Sequence, residues 1–168
     1  MIIIIIYSII SFLLDGLISN YIQTSLTSPS IFTTIYSIIS LVIIYNFFDD
    51  DKKYLKILLV IAILFDITYT NTFILNIILF FIIYLIIKTL NYYIPNNLFT
   101  INIKSLIAIS IYHILSYIIL LLVHYNNYPV FILYKVLYRS IIMTIIYTTI
   151  TYLIIKKIYY KYYDKKIK

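Results

Sequence analysis

The chain has 168 residues, of which 64% are hydrophobic and 11% charged, with a net charge of +7, a mean hydropathy of +1.04, one glycine and no cysteine. This composition lies far outside that of a soluble domain, and it excludes disulfides, thiolate metal sites and a cysteine nucleophile. The length accommodates five or six spanning helices of roughly 20 residues each as one membrane domain, with no room for a folded soluble domain beside it. Basic residues fall almost entirely in gaps between apolar runs and in a short tail, where topology and anionic membrane lipid account for them; no nucleic-acid partner is expected.

The first apolar run, residues 2–22, is long enough to cross a bilayer and gives way to a polar stretch from Gln23 to Ser30 with Pro29 as a breaker. It has no basic segment before it and no A-x-A-like cleavage site, so it is expected to be a retained helix and not a secretory signal. The second predicted span covers 31–48 and is followed by the charge run Asp49 to Lys53, a solvated loop. The third, 54–70, meets Asp66 after a short apolar stretch and continues through Asp66-Ile67-Thr68-Tyr69-Thr70. The fourth, 73–88, ends at Lys88, and Asn91 to Asn102 with Pro95 forms the longest predicted loop. The fifth covers 103–123, His124 to Pro129 turns the chain, and the sixth covers 130–155 before a basic tail at 156–168. None of these runs shows the period-two alternation of a membrane barrel strand. The predicted fold is all-α: a polytopic membrane protein, a compact bundle of six transmembrane helices.

Of the thirteen Lys and Arg, all but Lys135 and Arg139 fall after the second span, after the fourth, or in the tail. In a six-span chain these places share one side, which the positive-inside rule makes cytoplasmic, with both termini there. A five-span chain would split the basic clusters between two sides. The Tyr-rich tail around Tyr159, Tyr160 and Lys161 reads as an aromatic belt with a lipid-binding basic patch.

The informative residues are those out of place. Asp15 sits well inside the first span, Asp66 near the outer end of the third, and Lys135 and Arg139 lie four apart on one face of the sixth. An unpaired charge at mid-bilayer costs about 2.5 kcal/mol or more, so a polar cluster pairing Asp66, and Asp15 with it, to Arg139 is expected, with Lys135 snorkelling to the outer interface. Asp15 adjoins Gly16, the single glycine, where close helix approach is possible. His113, flanked by Ser110 and Ser116 one turn away, reads as a packed hydrogen-bonding residue. No HExxH, no Ser-His-Asp spacing and no glycine-rich phosphate loop occurs, so no catalytic residue, metal site or cofactor is expected.

Two segments resemble a known family. ILFDITYTNTFILNIILFFIIYLIIK, Ile63 to Lys88, resembles the third and fourth spans of the MreD family of bacterial rod shape-determining proteins, in which a short helix ends in an acidic residue followed by a Tyr-Thr-like stretch and another span. LYRSIIMTIIYTTITYLIIKK, Leu137 to Lys157, resembles the last helix of that family, with Arg139 in the place of a basic residue near its outer end. The glycines usual beside the acidic residue are absent, Ala62 being the small residue there. The resemblance implies a non-catalytic component of the cell-elongation machinery in the bacterial plasma membrane. It would couple a cytoplasmic actin-like filament protein to peptidoglycan synthesis, beside a bitopic MreC-like protein and the elongation glycosyltransferase and transpeptidase. A different function with the same architecture is the substrate-binding membrane subunit of an energy-coupling-factor-type vitamin transporter, in which Asp15, Asp66, Arg139 and His113 would line one outward-facing pocket.

Overall fold

Long apolar runs leave the backbone no water to bond to, and a helix satisfies its N–H and C=O groups within the segment. The computed structural model describes residues 2–21, 30, 33–48, 50–70, 74–124 and 128–163, and all regular structure among them is helical. The helices are α1 (Ile2–Tyr21), α2 (Tyr36–Tyr45), α3 (Asp51–Phe65), α4 (Leu75–Tyr93), α5 (Leu98–Leu122) and α6 (Val130–Tyr163). A π-helical turn, Asp66–Thr70, prolongs α3. Four of them, α1, α4, α5 and α6, are long and apolar enough to cross a membrane.

Helix α2 differs from the rest. It has ten residues, nine of them buried, and packs against α1, α3, α4, α5 and α6. Those five form a ring around it: α1 touches α3, α3 touches α4, α4 touches α5 and α5 touches α6. The ring closes where Ser11 of α1 and Tyr147 of α6 share a hydrogen bond of 2.8 Å. The centre holds Ile38, Ile39, Leu41, Val42 and Ile43. Polar and large apolar residues are distributed opposite to the pattern of a soluble protein. Ser8, Ser11, Ser37, Ser40, Thr144 and Thr148 are buried, whereas α1 presents Ile6, Ile9, Ile10, Leu13 and Leu17 outward. A continuous outer coat of that kind suits a lipid solvent.

Four sequence expectations change. The second apolar run does not become one helix over 31–48, because α2 begins only at Tyr36 and residues 33–35 precede it in non-helical conformation. The long loop expected from Asn91 to Asn102 shrinks to Ile94–Asn97: α4 runs on to Tyr93, and α5 starts early on an Asn97/Thr100 capping box. In that box Asn97 Oδ1 accepts from the Thr100 amide at 2.8 Å and Thr100 Oγ1 accepts from the Asn97 amide at 3.0 Å. The described part of the predicted tail, through Tyr163, continues α6 without a break. The charge run after the second apolar segment starts α3, with Asp50 as its N-cap accepting from the Lys52 amide at 2.9 Å.

Candidate functional site

A helix start leaves its first amides without intrahelical partners. The residue at the N-cap of α2 is Ile35, which has no oxygen to offer them. The acceptor arrives from the neighbouring helix: Asp15 of α1 takes the Tyr36 amide on Oδ1 at 2.8 Å and the Ser37 amide on Oδ2 at 2.9 Å, and Oδ2 also accepts from the Ser37 hydroxyl. The carboxylate therefore stands at the positive end of the α2 dipole, with donors already in place around both oxygens. Two further bonds fix the level of this junction. Thr34 Oγ1 and Thr144 Oγ1 lie 2.6 Å apart, and the Tyr36 ring meets the Tyr147 ring edge-on at 4.7 Å.

The same device recurs at α4. Its N-cap, Ile74, again lacks a capping side chain and has φ 75°, a left-handed conformation that strains a β-branched residue by about 1–3 kcal/mol. Asp66, at the head of the π-helical turn, supplies the acceptors. Its Oδ1 takes the Asn76 amide at 3.1 Å and the Asn76 side-chain Nδ2 at 2.8 Å, and its Oδ2 faces the Ile77 amide at 3.4 Å. Asn76 is fully buried and joins three elements, donating also to Thr70 Oγ1 at 2.9 Å and accepting from the Tyr112 hydroxyl of α5 at 2.7 Å. These bonds offset the strain at Ile74 and tie the π-helical turn to the start of α4.

The other end of α4 has a matching cation. Lys104 of α5, placed by sequence in an inter-helix gap, is fully buried. Its ammonium donates to the Ile94 carbonyl at 2.9 Å, to Asn96 Oδ1 at 2.6 Å and to Asn91 Oδ1, which uses all three of its hydrogens. Helix α4 thus carries a carboxylate from one neighbour at its N-terminus and an ammonium from another at its C-terminus, each with the sign its dipole favours. The Asn-rich sequence Asn91 to Asn97 is the signal: a turn with that many side-chain carbonyls provides acceptors for a buried donor.

Gly16, next to Asp15, is where the π-helical turn reaches α1. The Tyr69 hydroxyl donates to the Phe12 carbonyl at 2.7 Å, and a Cβ on Gly16 would lie 2.5 Å from that hydroxyl oxygen. The group that comes close at the glycine is the Tyr69 side chain, not the backbone of a second helix.

The expected pairing of Asp66 with Arg139 is not formed. Ion pairs among the described residues are Lys53–Asp50 at 3.7 Å and Lys88–Asp51 at 2.6 Å, both at the opposite end of α3. Asp66 is turned toward the α4 amides, and Arg139 is exposed on the outer side of α6. Asp15 likewise bonds to backbone and hydroxyl rather than to a cation. Spacing within an apolar run singles out a buried charge but not its partner, and here helix termini take the place of an opposite charge. His113 lies on α5 in a cavity of about 70 Å³ between α5 and α6, together with Ser116, Tyr117, Leu120, Tyr128 and Val136. Lys135 is partly exposed on α6 beside that cavity's wall. Of the predicted site residues, His113 lines that cavity, while Asp15 and Asp66 cap two different helices, α2 and α4. Among the described residues no group of His, Asp or Glu is arranged to hold a metal ion. Chemically, the two carboxylate sites accept hydrogen bonds and hold helices in place.

No family model, no curated protein and no solved structure matches this chain.

Proposed function

We propose that the chain is a multi-pass protein of the bacterial plasma membrane and a non-catalytic component of the cell-elongation machinery. It links an actin-like filament protein in the cytoplasm to peptidoglycan synthesis through a bitopic MreC-like partner and the elongation glycosyltransferase and transpeptidase. The single observation that supports a scaffold over a transporter is the use of its intramembrane carboxylates. Asp15 and Asp66 have their oxygens engaged by the N-termini of α2 and α4, so both carboxylates brace the bundle. A vitamin-binding subunit calls for Asp15, Asp66, Arg139 and His113 with their polar groups free to meet a ligand, whereas both carboxylates here accept from helix amides. The resemblance of residues 63–88 and 137–157 to the rod-shape family supplies the biological context.

In this reading six segments cross the bilayer and both termini are cytoplasmic. The second crossing is composite. Helix α2 is ten residues long, about 15 Å, or half of a hydrocarbon core of about 30 Å. The described residues just before α2, 33–35, are non-helical chain, which a bilayer tolerates only where protein surrounds it, and Thr34 among them is buried. Helix α6, at 34 residues, is about 51 Å long and exceeds the core. Taking Lys156 as the inner boundary, about 20 residues outward brings the other boundary to Val136. Lys135 then lies at the outer interface, and Arg139 one turn below it, within snorkelling reach.

The test is depletion of the protein in a rod-shaped host, scored by cell width and by co-purification of the bitopic wall-synthesis partner. Rounding of cells with loss of that complex is the expected result; normal rods accompanied by a lost vitamin uptake would establish the transporter reading instead. Because the natural chain has no cysteine, single cysteines at positions 52, 104, 128 and 157 provide a direct topology readout with a membrane-impermeant thiol reagent. Labelling at 128 from outside, and at 52 and 157 only after permeabilisation, is expected, with 104 protected in both conditions.

A further inference from the structure

An open cleft of about 640 Å³ lies at the C-terminal end of α4, lined by Tyr45 from the end of α2 and by Lys88, Thr89, Asn91, Tyr92 and Tyr93. Its volume is that of a small-molecule site, about 300–1,000 Å³. The hydrogen bonds already made inside the protein decide what the cleft can still offer. Lys88 Nζ donates to Asp51 Oδ2 at 2.6 Å and to the Tyr84 hydroxyl at 3.4 Å, which holds the ammonium in place and leaves its third hydrogen. Asn91 gives Oδ1 to the buried Lys104 ammonium, a group that can only donate, so the Nδ2 donor is what remains for the cleft. Tyr92 and Tyr93 add exposed hydroxyls at the rim. The Tyr45 and Thr89 hydroxyls commit their protons to Asp51 Oδ1 and the Leu85 carbonyl, and keep neutral acceptor oxygens. Among the described residues no carboxylate lines the cleft. A donor-rich cleft with one cation and no carboxylate is complementary to a phosphate group.

A second, independent observation is what adjoins the cleft. A hollow of about 270 Å³ shares Leu85 and Thr89 with it and is otherwise lined by Ile82, Ile86 and Leu90. Chain order along α4 sets the depth of the two spaces: Ile82 and Ile86 lie nearer the middle of the helix, and Lys88 to Tyr93 form its last turns. The apolar space therefore continues the polar one toward the bilayer centre, and the tyrosines stand at the level where aromatic side chains mark a membrane interface. Together they have the polarity profile of one amphiphile, a phosphate at the boundary and a hydrocarbon chain beneath it.

We infer that this end of α4 binds one glycerophospholipid of the cytoplasmic leaflet, with its phosphodiester on Lys88 Nζ and Asn91 Nδ2 and one acyl chain in the hollow along Ile82 and Ile86. Lys104 serves the site from behind by fixing which face of the Asn91 amide is presented. This inference rests on the membrane placement and orientation proposed above but not on the role in cell elongation. Two results address that placement without reference to lipid: release of the chain by alkaline carbonate refutes the membrane, and labelling of a cysteine at position 52 from outside the cell refutes the leaflet.

The site itself is tested by native mass spectrometry of the full chain in detergent, titrated separately with phosphatidylglycerol, with diacylglycerol of identical acyl chains, and with glycerol 3-phosphate. Phosphatidylglycerol is expected to bind at least about tenfold more tightly than diacylglycerol, the effect of one charge-assisted hydrogen bond, and glycerol 3-phosphate is expected to leave no adduct where phosphatidylglycerol saturates. Asn91→Asp keeps the oxygen that Lys104 requires and turns the donor of the cleft into an anionic acceptor, so it should bring phosphatidylglycerol down to the diacylglycerol level in a folded chain. Lys88→Gln should weaken phosphatidylglycerol by about tenfold and leave diacylglycerol unchanged. Equal binding of the two lipids by the natural chain overturns the phosphate contacts, glycerol 3-phosphate binding as tightly as the lipid overturns the acyl hollow, and unchanged phosphatidylglycerol binding in either variant places the lipid elsewhere and overturns the site. If Asn91→Asp does not yield folded protein, Lys88→Gln, which disturbs an exposed ion pair, decides alone.

Discussion

Asp15 offers the sharpest test of how this fold is held together. Replacing it with Ala removes every acceptor at the start of α2 and strands two amides, those of Tyr36 and Ser37, together with the Ser37 hydroxyl. Orphaned buried donors cost about 1–3 kcal/mol each, so at about 1.5 kcal/mol per amide the loss is about 3 kcal/mol, above that of an ordinary N-cap deletion. Asp15→Asn keeps one carbonyl oxygen and so one of the two amide bonds, for a loss of about 1.5 kcal/mol. Ser37→Ala removes the hydroxyl bond alone and is expected to cost about 1 kcal/mol. Reversible unfolding in mixed micelles with increasing SDS gives the three free energies on one scale. The ordering Ala above Asn above the natural residue is the diagnostic result. If Ala costs no more than Asn, or both lie within about 0.5 kcal/mol of the natural chain, Asp15 is not the cap of α2 and the argument fails.

Three further outcomes follow from the geometry. A double-mutant cycle between Asp66 and Arg139 should give additive effects within about 0.5 kcal/mol, whereas a cycle between Asp66 and Asn76 should show coupling above that value; the reverse result would restore the ion pair expected from sequence. Gly16→Ala should destabilise by about 1–3 kcal/mol because its Cβ displaces the Tyr69 hydroxyl, and adding Tyr69→Phe should recover part of the loss in the same unfolding assay. The Lys88 ammonium, with the Tyr45 hydroxyl, holds the exposed Asp51 carboxyl below its ordinary value of 3.8. With the folded value lowered, the contribution is fully present above pH 3.8 and fades as the pH falls through the lowered value. Stability measured from pH 6 down to 2 should therefore decline less steeply in Asp51→Asn than in the natural chain, and parallel profiles would remove this tie from the account.

The class of fold was plain in the sequence because apolar runs of spanning length dominate it, and the ends of α1 and the start of α6 fall where composition changes. Helix α2 was not legible. Residues 31–48 are apolar apart from hydroxyls and Asn46, and hydropathy does not distinguish a helix from non-helical chain that other helices enclose. Asp15 and Asp66 stood out as carboxylates in apolar runs, and the structure gives both a structural use, yet their partners were invisible because a helix N-terminus has no residue code of its own. The local clue was negative: neither Ile35 nor Ile74 can cap a helix, so any helix starting there needs an acceptor from elsewhere. Lys104 was misplaced for the opposite reason. Its polar neighbours Asn91, Asn96 and Asn97 imitate a solvated loop, although two of them are ligands of the buried ammonium and the third begins α5.

Under the six-crossing topology proposed above, the shortness of α2 constrains how the chain enters the membrane. Ten residues with bare N-terminal amides are a poor substrate for independent insertion, because the segment is too short to span and its leading end is unsatisfied until Asp15 reaches it. Asp15 has the converse difficulty, as a carboxylate crossing hydrocarbon without donors. Each defect is cured by the other, so α1 and α2 are best delivered to lipid together, as a preformed hairpin whose polar seam is already closed. A ribosome-tethered chain cut off after α1 should then stay loosely held by the insertion machinery and partition firmly into the bilayer only once Ser37 has emerged, an outcome that would make this junction a checkpoint in biogenesis as well as a brace in the finished bundle.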